Sequence, residues 1–307
     1  MPNPHDLFQL SDAIREAQAT GRAVVALEST IVTHGMPYPQ NLETARRVEA
    51  AVRAAGAEPA TIAVLDGQLR IGLADEELAA LAKAEGVMKL SRADLAFAMA
   101  TGRTGSTTVA ATMIAAEKAG IPVFATGGIG GVHRGGETSL DISADLEELS
   151  RTDVIVVSAG AKAILDIGRT LEFLETKGVP VVAYQSDEMP AFWSRRSGHP
   201  APLRLDRPVE IARFQAIRAA LGIEGGMLVA NPLGEDEAIP AETVSRWIDA
   251  ALAEAAENGV AGKAVTPYLL GRIVELSEGQ SLTANIALIL ANARLAGEIA
   301  VALKAAR

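Results

Sequence analysis

Residues 154–162 read Val-Ile-Val-Val-Ser-Ala-Gly-Ala-Lys, a short β-branched run that ends on small residues and one lysine. The run Val154–Ser158 is apolar on consecutive positions rather than on alternate ones. Such runs are typical of strands that helices cover on both faces of a parallel sheet. Five further strands are predicted in the same way: Ala23–Leu27, Thr61–Leu65, Pro122–Thr126, Pro180–Ala183 and Met227–Ala230.

Amphipathic, alanine-rich stretches lie between these strands and predict helices. Before Pro240 they are Leu42–Ala55, Glu76–Ala84, Ala93–Ala100, Val109–Ala119, Ile164–Lys177 and Val209–Leu221. Beyond Pro240 we expect helices alone, interrupted at Gly271 and Gly279: Ala241–Glu257, Val265–Ser277 and Leu282–Ala306.

The order of these elements indicates the fold class. Strands alternate with helices, and the Asp66-Gly67 pair predicts a hairpin turn that adds an antiparallel strand. We therefore expect an α/β fold, a three-layer α/β/α sandwich with a mixed, mostly parallel central sheet, in a single domain over residues 1–307. The polar stretch Gln185–Pro208 is the one long predicted loop, and loops of that length are usually functional or mobile.

Composition excludes several classes of function. The 307 residues carry 28 Lys and Arg against 38 Asp and Glu, a net charge of −10, which argues against binding to nucleic acid or to a membrane surface. There is no cysteine, so disulfides and thiolate chemistry are excluded, and four scattered histidines disfavour a zinc site. The segment Met1–Arg22 lacks the apolar core of a signal peptide. The longest stretches without charge have 15 residues, short of the roughly 20 that span a bilayer, so we expect a cytoplasmic protein.

In open α/β sheets, ligands bind beyond the carboxyl ends of the strands. The first predicted strand is followed by Glu28-Ser29-Thr30 and, a few residues later, by His34-Gly35. A carboxylate beside hydroxyl groups is suited to general acid–base catalysis. It is equally suited to accepting hydrogen bonds from loop amides, and this segment alone does not decide between the two.

Two glycine-rich segments are candidates for anion binding. Gly127–Gly136 follows the strand Pro122–Thr126, and its backbone amides can approach an anion, although His133 breaks the Rossmann pattern. Gly102–Thr108 lacks the ending of a P-loop, but Ser106, Thr107 and Thr108 precede a predicted helix. A phosphate can bind at that helix start, or one of the hydroxyls can simply cap it, and the two roles are compatible.

Asp141, Ser143 and Asp145 lie on alternate positions. If the chain is extended there, the three side chains share one face and suit a hard cation such as Mg²⁺ or Mn²⁺. If Ser143 instead caps the next helix, Asp145 falls in the first turn and complements the helix dipole.

Lys162 is the most suggestive single residue, because it ends an apolar strand among small residues. Partial burial lowers the pKa of an amine and makes it a nucleophile for Schiff-base chemistry, whereas many lysines at sheet ends simply extend to solvent. Lys89, after Gly86-Val87-Met88, is either a surface lysine or a cation for a sugar or phosphate.

Together these segments closely resemble the pseudouridine-5′-phosphate glycosidases. The resemblance covers nearly the whole chain, and the small departures, such as Trp193 where the family often has tyrosine, lie outside the presumed chemistry. The motifs that carry it are Ala26–Ile31, His34–Pro39, Thr107–Val109, Thr126–Gly135, Asp141–Leu146, Ser158–Lys162, Val229–Pro232, Val265–Pro267 and Ser281–Leu288.

The resemblance implies the reversible conversion of pseudouridine 5′-phosphate and water to ribose 5-phosphate and uracil, in pseudouridine catabolism. It also implies a divalent cation, typically Mn²⁺, no organic cofactor, and a homotrimer. By matched motif, Lys162 is the nucleophile, Glu28 the proton donor and Asp141 the metal ligand. The implied substrate-binding residues are Lys89, Thr108, Val109, Ser143, Ala144 and Asp145, with His133 and Asn285 near the substrate.

The chemistry of the substrate agrees with these roles. A C–C glycosidic bond makes the two-carboxylate route of ordinary glycosidases poor, because its leaving group is a carbanion. A lysine that opens the sugar and later holds it as an iminium, with a carboxylic acid of raised pKa as proton donor, avoids that problem. Two rival interpretations are a Schiff-base aldolase that acts on a sugar phosphate and a regulator that binds a sugar phosphate without turnover.

Overall fold

An eleven-stranded sheet forms the centre of the structure, a computed structural model that describes residues 7–260 and 265–306. Two further short strands, β8 and β10, pair separately in antiparallel fashion. In chain order the strands are β1 (Phe8–Leu10), β2 (Val24–Leu27), β3 (Glu58–Leu65), β4 (Gln68–Ile71), β5 (Met88–Leu90), β6 (Gly105–Thr107), β7 (Val123–Ala125), β8 (Val132–His133), β9 (Ile155–Ser158), β10 (Leu165–Asp166), β11 (Val181–Tyr184), β12 (Leu203–Leu205) and β13 (Met227–Ala230).

The sheet is mixed and mostly parallel, as predicted. Its spatial order is β1-β4-β3-β2-β7-β9-β13-β11-β12, with β6 paired to β3 and β5 paired to β6. Only the pairs β3–β4 and β3–β6 are antiparallel, and the first of them is the hairpin predicted at Asp66-Gly67. Every residue of β2, β9 and β13 is buried, which agrees with their unbroken apolar sequences. All six strands predicted from the sequence are confirmed.

Helices cover both faces of the sheet and confirm the three-layer sandwich. Helices α2, α9 and α12 pack together on one side, and α4, α5, α7 and α8 on the other, while α10 and α11 pack against each other beside α12. The helices are α1 (Asp12–Ala19), α2 (Gln40–Ala54), α3 (Asp75–Lys83), α4 (Arg92–Ala100), α5 (Val109–Lys118), α6 (Gly136–Ser139), α7 (Ala144–Leu149), α8 (Ile167–Thr176), α9 (Pro208–Ala220), α10 (Ala241–Glu257), α11 (Val265–Leu276) and α12 (Gln280–Ala305), with a π-helical turn at Ile31–Gly35.

Two predictions about the helices are wrong, one start and one interruption. The helix expected from Ile164 begins at Ile167, because Asp166 pairs with β8 and its carboxylate accepts a hydrogen bond from the backbone N–H of Arg169 at 2.9 Å. Gly271 does not interrupt a helix but lies inside α11. Gly279, by contrast, has a φ of +84° and separates α11 from α12 as predicted.

Helix α12 has 26 residues and is long and apolar enough to cross a membrane by length and composition alone. However, 56% of its most apolar window is buried inside the protein, where the helix packs against β2, β7 and β9. Such burial is typical of a core helix, so the apolar character of α12 is explained by its contacts with the sheet.

Candidate active site

A cavity of about 180 Å³ opens beyond the carboxyl ends of β2, β7 and β9, next to α11 and α12. Four of the residues predicted for the site line it: Glu28, Lys89, Lys162 and Asn285. A larger groove of about 460 Å³ lies between β4 and α3, but it contains none of the predicted residues. The smaller cavity is therefore the candidate active site.

Glu28 follows the last residue of β2, is partly buried and lines the cavity. Its Oε1 accepts a hydrogen bond from the hydroxyl of Thr126, and no backbone amide in the described part of the chain donates to it. Burial raises the pKa of Glu28, and the positive charge of Lys162 and the Thr126 hydrogen bond offset only part of that rise. The alternative in which loop amides hold this carboxylate is wrong, and the raised pKa suits a proton donor.

Lys162 lies beyond β9, in a turn attached to the glycine-rich segment. Its backbone N–H donates to the carbonyl of Ile129 at 3.0 Å, and Ala161 forms a bridge with the same residue. The turn requires glycine at position 160, because φ is +82° there and a Cβ would lie 2.8 Å from the Pro190 carbonyl oxygen. The turn thus places the lysine in the cavity that Glu28 lines, rather than leaving it as a surface residue.

Lys89 and His34 provide further polar groups in the cavity. Burial, followed by the charge of Lys89, lowers the pKa of His34. The His34 Nδ1 lies 2.6 Å from the Thr33 hydroxyl and 3.3 Å from that of Ser106. His34 lies in one of the motifs, but the sequence alone indicates no role for it, because only the fold brings it near Lys89.

The start of α5 presents an unpaired hydroxyl. Thr108 precedes the helix, and its Oγ1 is the buried side-chain oxygen that lacks a hydrogen-bond partner within the described residues. It does not cap the helix, and Thr107 Oγ1 instead donates to the Ile62 carbonyl at 2.8 Å. A simple capping role for these hydroxyls is therefore wrong. Neither Thr108 nor Val109 lines the cavity itself.

Asp145 joins the glycine-rich segment to α5. Its two carboxylate oxygens accept hydrogen bonds from the backbone N–H groups of Ala110 at 2.9 Å and Gly130 at 2.7 Å. Ser143 caps α7 by accepting a hydrogen bond from the Asp145 N–H at 3.2 Å, so the capping alternative is confirmed and the extended one is wrong. Ser143, Ala144 and Asp145 lie outside the set of residues that line the cavity.

The glycine-rich segment contributes to the cavity only in part. Gly127 and Gly128 line it, whereas a Cβ on Gly130 would lie 2.2 Å from the Ser143 hydroxyl and one on Gly131 would lie 2.5 Å from Thr170 Oγ1. Gly130 and Gly131 therefore permit close packing against Ser143 and Thr170, outside the cavity lining.

His133 and Asp141 lie near each other, away from the cavity lining, with 3.9 Å between Nδ1 and Oδ2. Residues 7–260 and 265–306 contain no group of three or more His, Cys, Asp or Glu side chains that could hold a metal ion. The side chain of Asp141 is 51% exposed. A single accessible carboxylate fits a hard cation that keeps most of its water ligands, not one enclosed by protein side chains.

Several residues of the site were missed by the sequence analysis. Thr126 contacts Glu28, and Phe192 and α11 line the cavity. Trp193 is fully buried, and its Nε1 donates to Oδ1 of Asn285 at 2.7 Å, so it contacts a residue of the cavity lining without lining the cavity itself. The signal that pointed to it was the presence of large side chains in the long loop Gln185–Pro208.

Comparison with known proteins yields full-length matches. A family model described as indigoidine synthase A like protein matches residues 13–302. Pseudouridine-5′-phosphate glycosidases of Methylobacterium nodulans (61% identity, 99% of this chain and 90% of the relative) and Roseobacter denitrificans (63%, 95% and 94%) are similar in sequence. The structure resembles the prealnumycin C-glycosynthase AlnA in complex with ribulose 5-phosphate, with a TM-score of 0.91, 43% identity and 99% of both chains covered. An indigoidine synthase A-like protein of Thermotoga maritima has a TM-score of 0.89, 36% identity and the same coverage.

Proposed function

Because the chain belongs to the indigoidine synthase A-like family and, within it, to the pseudouridine-5′-phosphate glycosidases, we propose that it converts pseudouridine 5′-phosphate and water reversibly to ribose 5-phosphate and uracil. The observation that carries the mechanism is the pairing of Glu28 and Lys162 in one cavity, where burial raises the pKa of the carboxyl group. A neutral acid and an amine are the two groups that opening of the sugar ring requires.

In the first step, the uncharged amine of Lys162 attacks C1′ of the ribose. The bond between C1′ and the ring oxygen breaks, and that oxygen takes the proton of Glu28. Glu28 is left as a carboxylate, which accepts the proton released by the lysine nitrogen. Since the pKa of Glu28 is raised by burial, the acid form persists to higher pH than that of an exposed glutamate.

In the second step, uracil leaves from the opened sugar. Glu28, protonated again after the first step, gives a proton to C5 of the base, the C1′–C5 bond breaks, and the nitrogen lone pair of Lys162 forms an iminium with C1′. Water then adds to the iminium, which releases the lysine amine and ribose 5-phosphate as its aldehyde and returns the proton to Glu28. The sum consumes one water and regenerates both side chains. The lysine thereby stabilises the positive charge of the sugar fragment as an iminium, and protonation at C5 lets uracil leave as a neutral molecule, not as a carbanion.

We assign the phosphate of the substrate to the region of Lys89 and the start of α5. The unpaired Thr108 hydroxyl and the first amide of α5, that of Val109, support this assignment, since a helix start and a cation both stabilise a phosphate. Residues 143–145 and His133 are proposed as substrate contacts on the resemblance alone.

We further propose that Asp141 holds a hydrated divalent cation, typically Mn²⁺, because its exposed carboxylate suits such an ion. A bound cation of this kind neutralises negative charge on a phosphorylated substrate. By resemblance we also propose a single domain over residues 1–307, a homotrimer and a cytoplasmic location.

The function is tested by incubating the protein with pseudouridine 5′-phosphate, with and without added Mn²⁺, and measuring free uracil and ribose 5-phosphate. We expect equal amounts of the two products, formed roughly 10²- to 10⁴-fold more slowly by the Glu28→Gln variant. If pseudouridine 5′-phosphate persists while another sugar phosphate is cleaved within its carbon chain, the protein is an aldolase and the proposal is wrong. Binding of ribose 5-phosphate without any turnover would instead identify a regulator.

A further inference from the structure

Trp193 lies in the loop between β11 and β12 and is held there by several hydrogen bonds. Its carbonyl accepts from the backbone N–H of Ile239 at 2.8 Å, and the hydroxyl of the next residue, Ser194, donates to the Ile239 carbonyl at 2.7 Å. The indole ring is fully buried, and its centroid lies 5.1 Å from that of Phe192. Its position is therefore fixed by the surrounding structure.

The indole N–H determines how the amide of Asn285 is oriented. It donates to Oδ1 of Asn285 at 2.7 Å. An indole nitrogen is a donor only, so the amide oxygen, and not the amide nitrogen, must face Trp193. The orientation of Asn285 thus follows from the chemistry of its partner, in contrast to most side-chain amides, whose oxygen and nitrogen atoms are hard to tell apart.

The Nδ2 group of Asn285 can donate a hydrogen bond to a ligand in the cavity. Asn285 lines the cavity, and no residue in the described segments accepts a hydrogen bond from its Nδ2. On the same side, Phe192 and Leu288 come together over Gly127 and Gly128. An aromatic and an aliphatic side chain suit the flat face of a base, whereas Lys89 and Lys162 suit the sugar phosphate.

We propose that Trp193 is a specificity-determining residue, which positions Asn285 so that its Nδ2 donates a hydrogen bond to a carbonyl oxygen of the nucleobase. The inference rests on the proposed function and deepens it. Uracil linked through C5 carries carbonyl groups at C2 and C4, and both accept hydrogen bonds. A base with an amino group at the contacted position would present a donor to a donor. The arrangement therefore selects an oxo base against its amino analogue.

The inference is tested with three substrates: pseudouridine 5′-phosphate and its two analogues in which an amino group replaces the carbonyl oxygen at C2 or at C4. For the wild-type protein we expect kcat/KM to fall on the order of 10- to 100-fold for one of the two analogues, because a buried donor then loses its acceptor. The analogue that is rejected identifies the carbonyl that Asn285 contacts. Equal kcat/KM for all three substrates would overturn the inference.

The Asn285→Asp variant reverses the polarity of the contact. An aspartate can still accept from Trp193, but it presents an acceptor to the base instead of a donor. We expect this variant to lose on the order of 10- to 100-fold in kcat/KM for pseudouridine 5′-phosphate and to prefer the analogue that the wild type rejects. If it slows every substrate equally, Asn285 has no role in base selection.

The Trp193→Phe variant removes the donor and keeps an aromatic ring, so the amide of Asn285 can rotate. We expect the preference for the oxo base to decrease by about tenfold, because either end of the amide then faces the base. Trp247→Phe, in α10, is the matched control and should keep the full preference. An unchanged preference in a folded Trp193→Phe variant would contradict the role of Trp193.

A reaction that involves no base separates this inference from the proposed function. Trp193→Phe, which leaves every residue of the cavity lining in place, should form the same borohydride-reducible adduct with ribose 5-phosphate as the wild type, at the same rate. If Trp193→Phe slows adduct formation as much as it slows pseudouridine 5′-phosphate cleavage, Asn285 serves the sugar and not the base, and the inference fails alone. If the wild-type protein forms no adduct and cleaves no C-nucleotide, the proposed function fails, and the inference with it.

Discussion

The hydroxyl of Thr126 donates a hydrogen bond to Oε1 of Glu28, although 98 residues separate the two in sequence. The contact forms because β2 and β7 are parallel neighbours, so that the residues after their last positions lie side by side. Asn292, from the buried centre of α12, donates to the Thr126 carbonyl at 2.9 Å. A partly buried acid is thereby held at the end of the sheet by a strand and a helix that are themselves in the core.

This contact predicts a change in the pH dependence of the enzyme. The Thr126 hydrogen bond lowers the pKa of Glu28, so Thr126→Val should raise that pKa further. Because Glu28 acts in its protonated form, activity falls as pH rises through its pKa, and this alkaline limb should move to higher pH in the variant. The check is a profile of kcat/KM against pH, with Thr126→Ser as the control that keeps the hydroxyl. If the alkaline limb of the profile does not shift in Thr126→Val, Glu28 is not the proton donor.

The burial of Glu28 also predicts a dependence of stability on pH. Burial raises its pKa in the folded protein, so its contribution to the free energy of unfolding is complete below the ordinary glutamate pKa and is lost as pH rises through the folded-state pKa. Glu28→Gln cannot ionise, so its stability advantage over the wild type should grow across that pH range, while activity falls by roughly 10²- to 10⁴-fold. Urea unfolding at a series of pH values measures this. A constant difference would mean that Glu28 is not perturbed.

Asp145 should stabilise the fold in addition to the substrate contact proposed for it. Asp145→Ala leaves the buried amide of Ala110 and the partly buried amide of Gly130 without their acceptor, at about 1–3 kcal/mol each. We therefore expect the free energy of unfolding to fall by about 2–6 kcal/mol in denaturant titrations. Asp145→Asn, which keeps one acceptor oxygen, should lose less. An unchanged free energy of unfolding in Asp145→Ala would contradict this structural role.

Lys89 should contribute binding energy for the phosphate. Lys89→Gln removes a charge-assisted hydrogen bond, so KM for pseudouridine 5′-phosphate should rise about 10- to 100-fold. The preference for the phosphorylated substrate over unphosphorylated pseudouridine should shrink by the same factor. Lys118→Gln, at the far end of α5, is the matched control, since that lysine is exposed and outside the cavity. A loss that is equal for both substrates would place Lys89 on the sugar or the base.

The main strands were predictable because they consist of consecutive apolar residues, and the main helices because their apolar residues recur with helical periodicity. Strands such as β5 and β6 were not, since three residues each carry no pattern and form only because a neighbouring strand is present. Gly271 was predicted to interrupt a helix, because glycine in a helix interior lowers stability by about 1 kcal/mol relative to alanine. The tertiary contacts of α11 outweigh this loss of stability.

Glu28 and Lys162 were identified from the sequence because Glu28 directly follows β2 and Lys162 lies four residues beyond the end of β9, and strand ends meet at one edge of the sheet. Their partners were not, because Thr126 and Trp193 act through contacts between segments that are far apart in the chain. The roles of Ser143 and Asp145 were left open for the same reason. Whether a hydroxyl caps a helix or meets a ligand depends on where the backbone turns.

The central claim is that Lys162 forms a covalent bond to the sugar, and one measurement tests it most directly. The protein is incubated with ribose 5-phosphate, reduced with borohydride, digested and mapped by mass spectrometry. We predict one reduced pentose phosphate adduct, on Lys162, that is retained in Lys118→Gln and absent in a folded Lys162→Ala variant. An active, folded wild-type protein that carries no adduct, or carries it on another lysine, would contradict the mechanism.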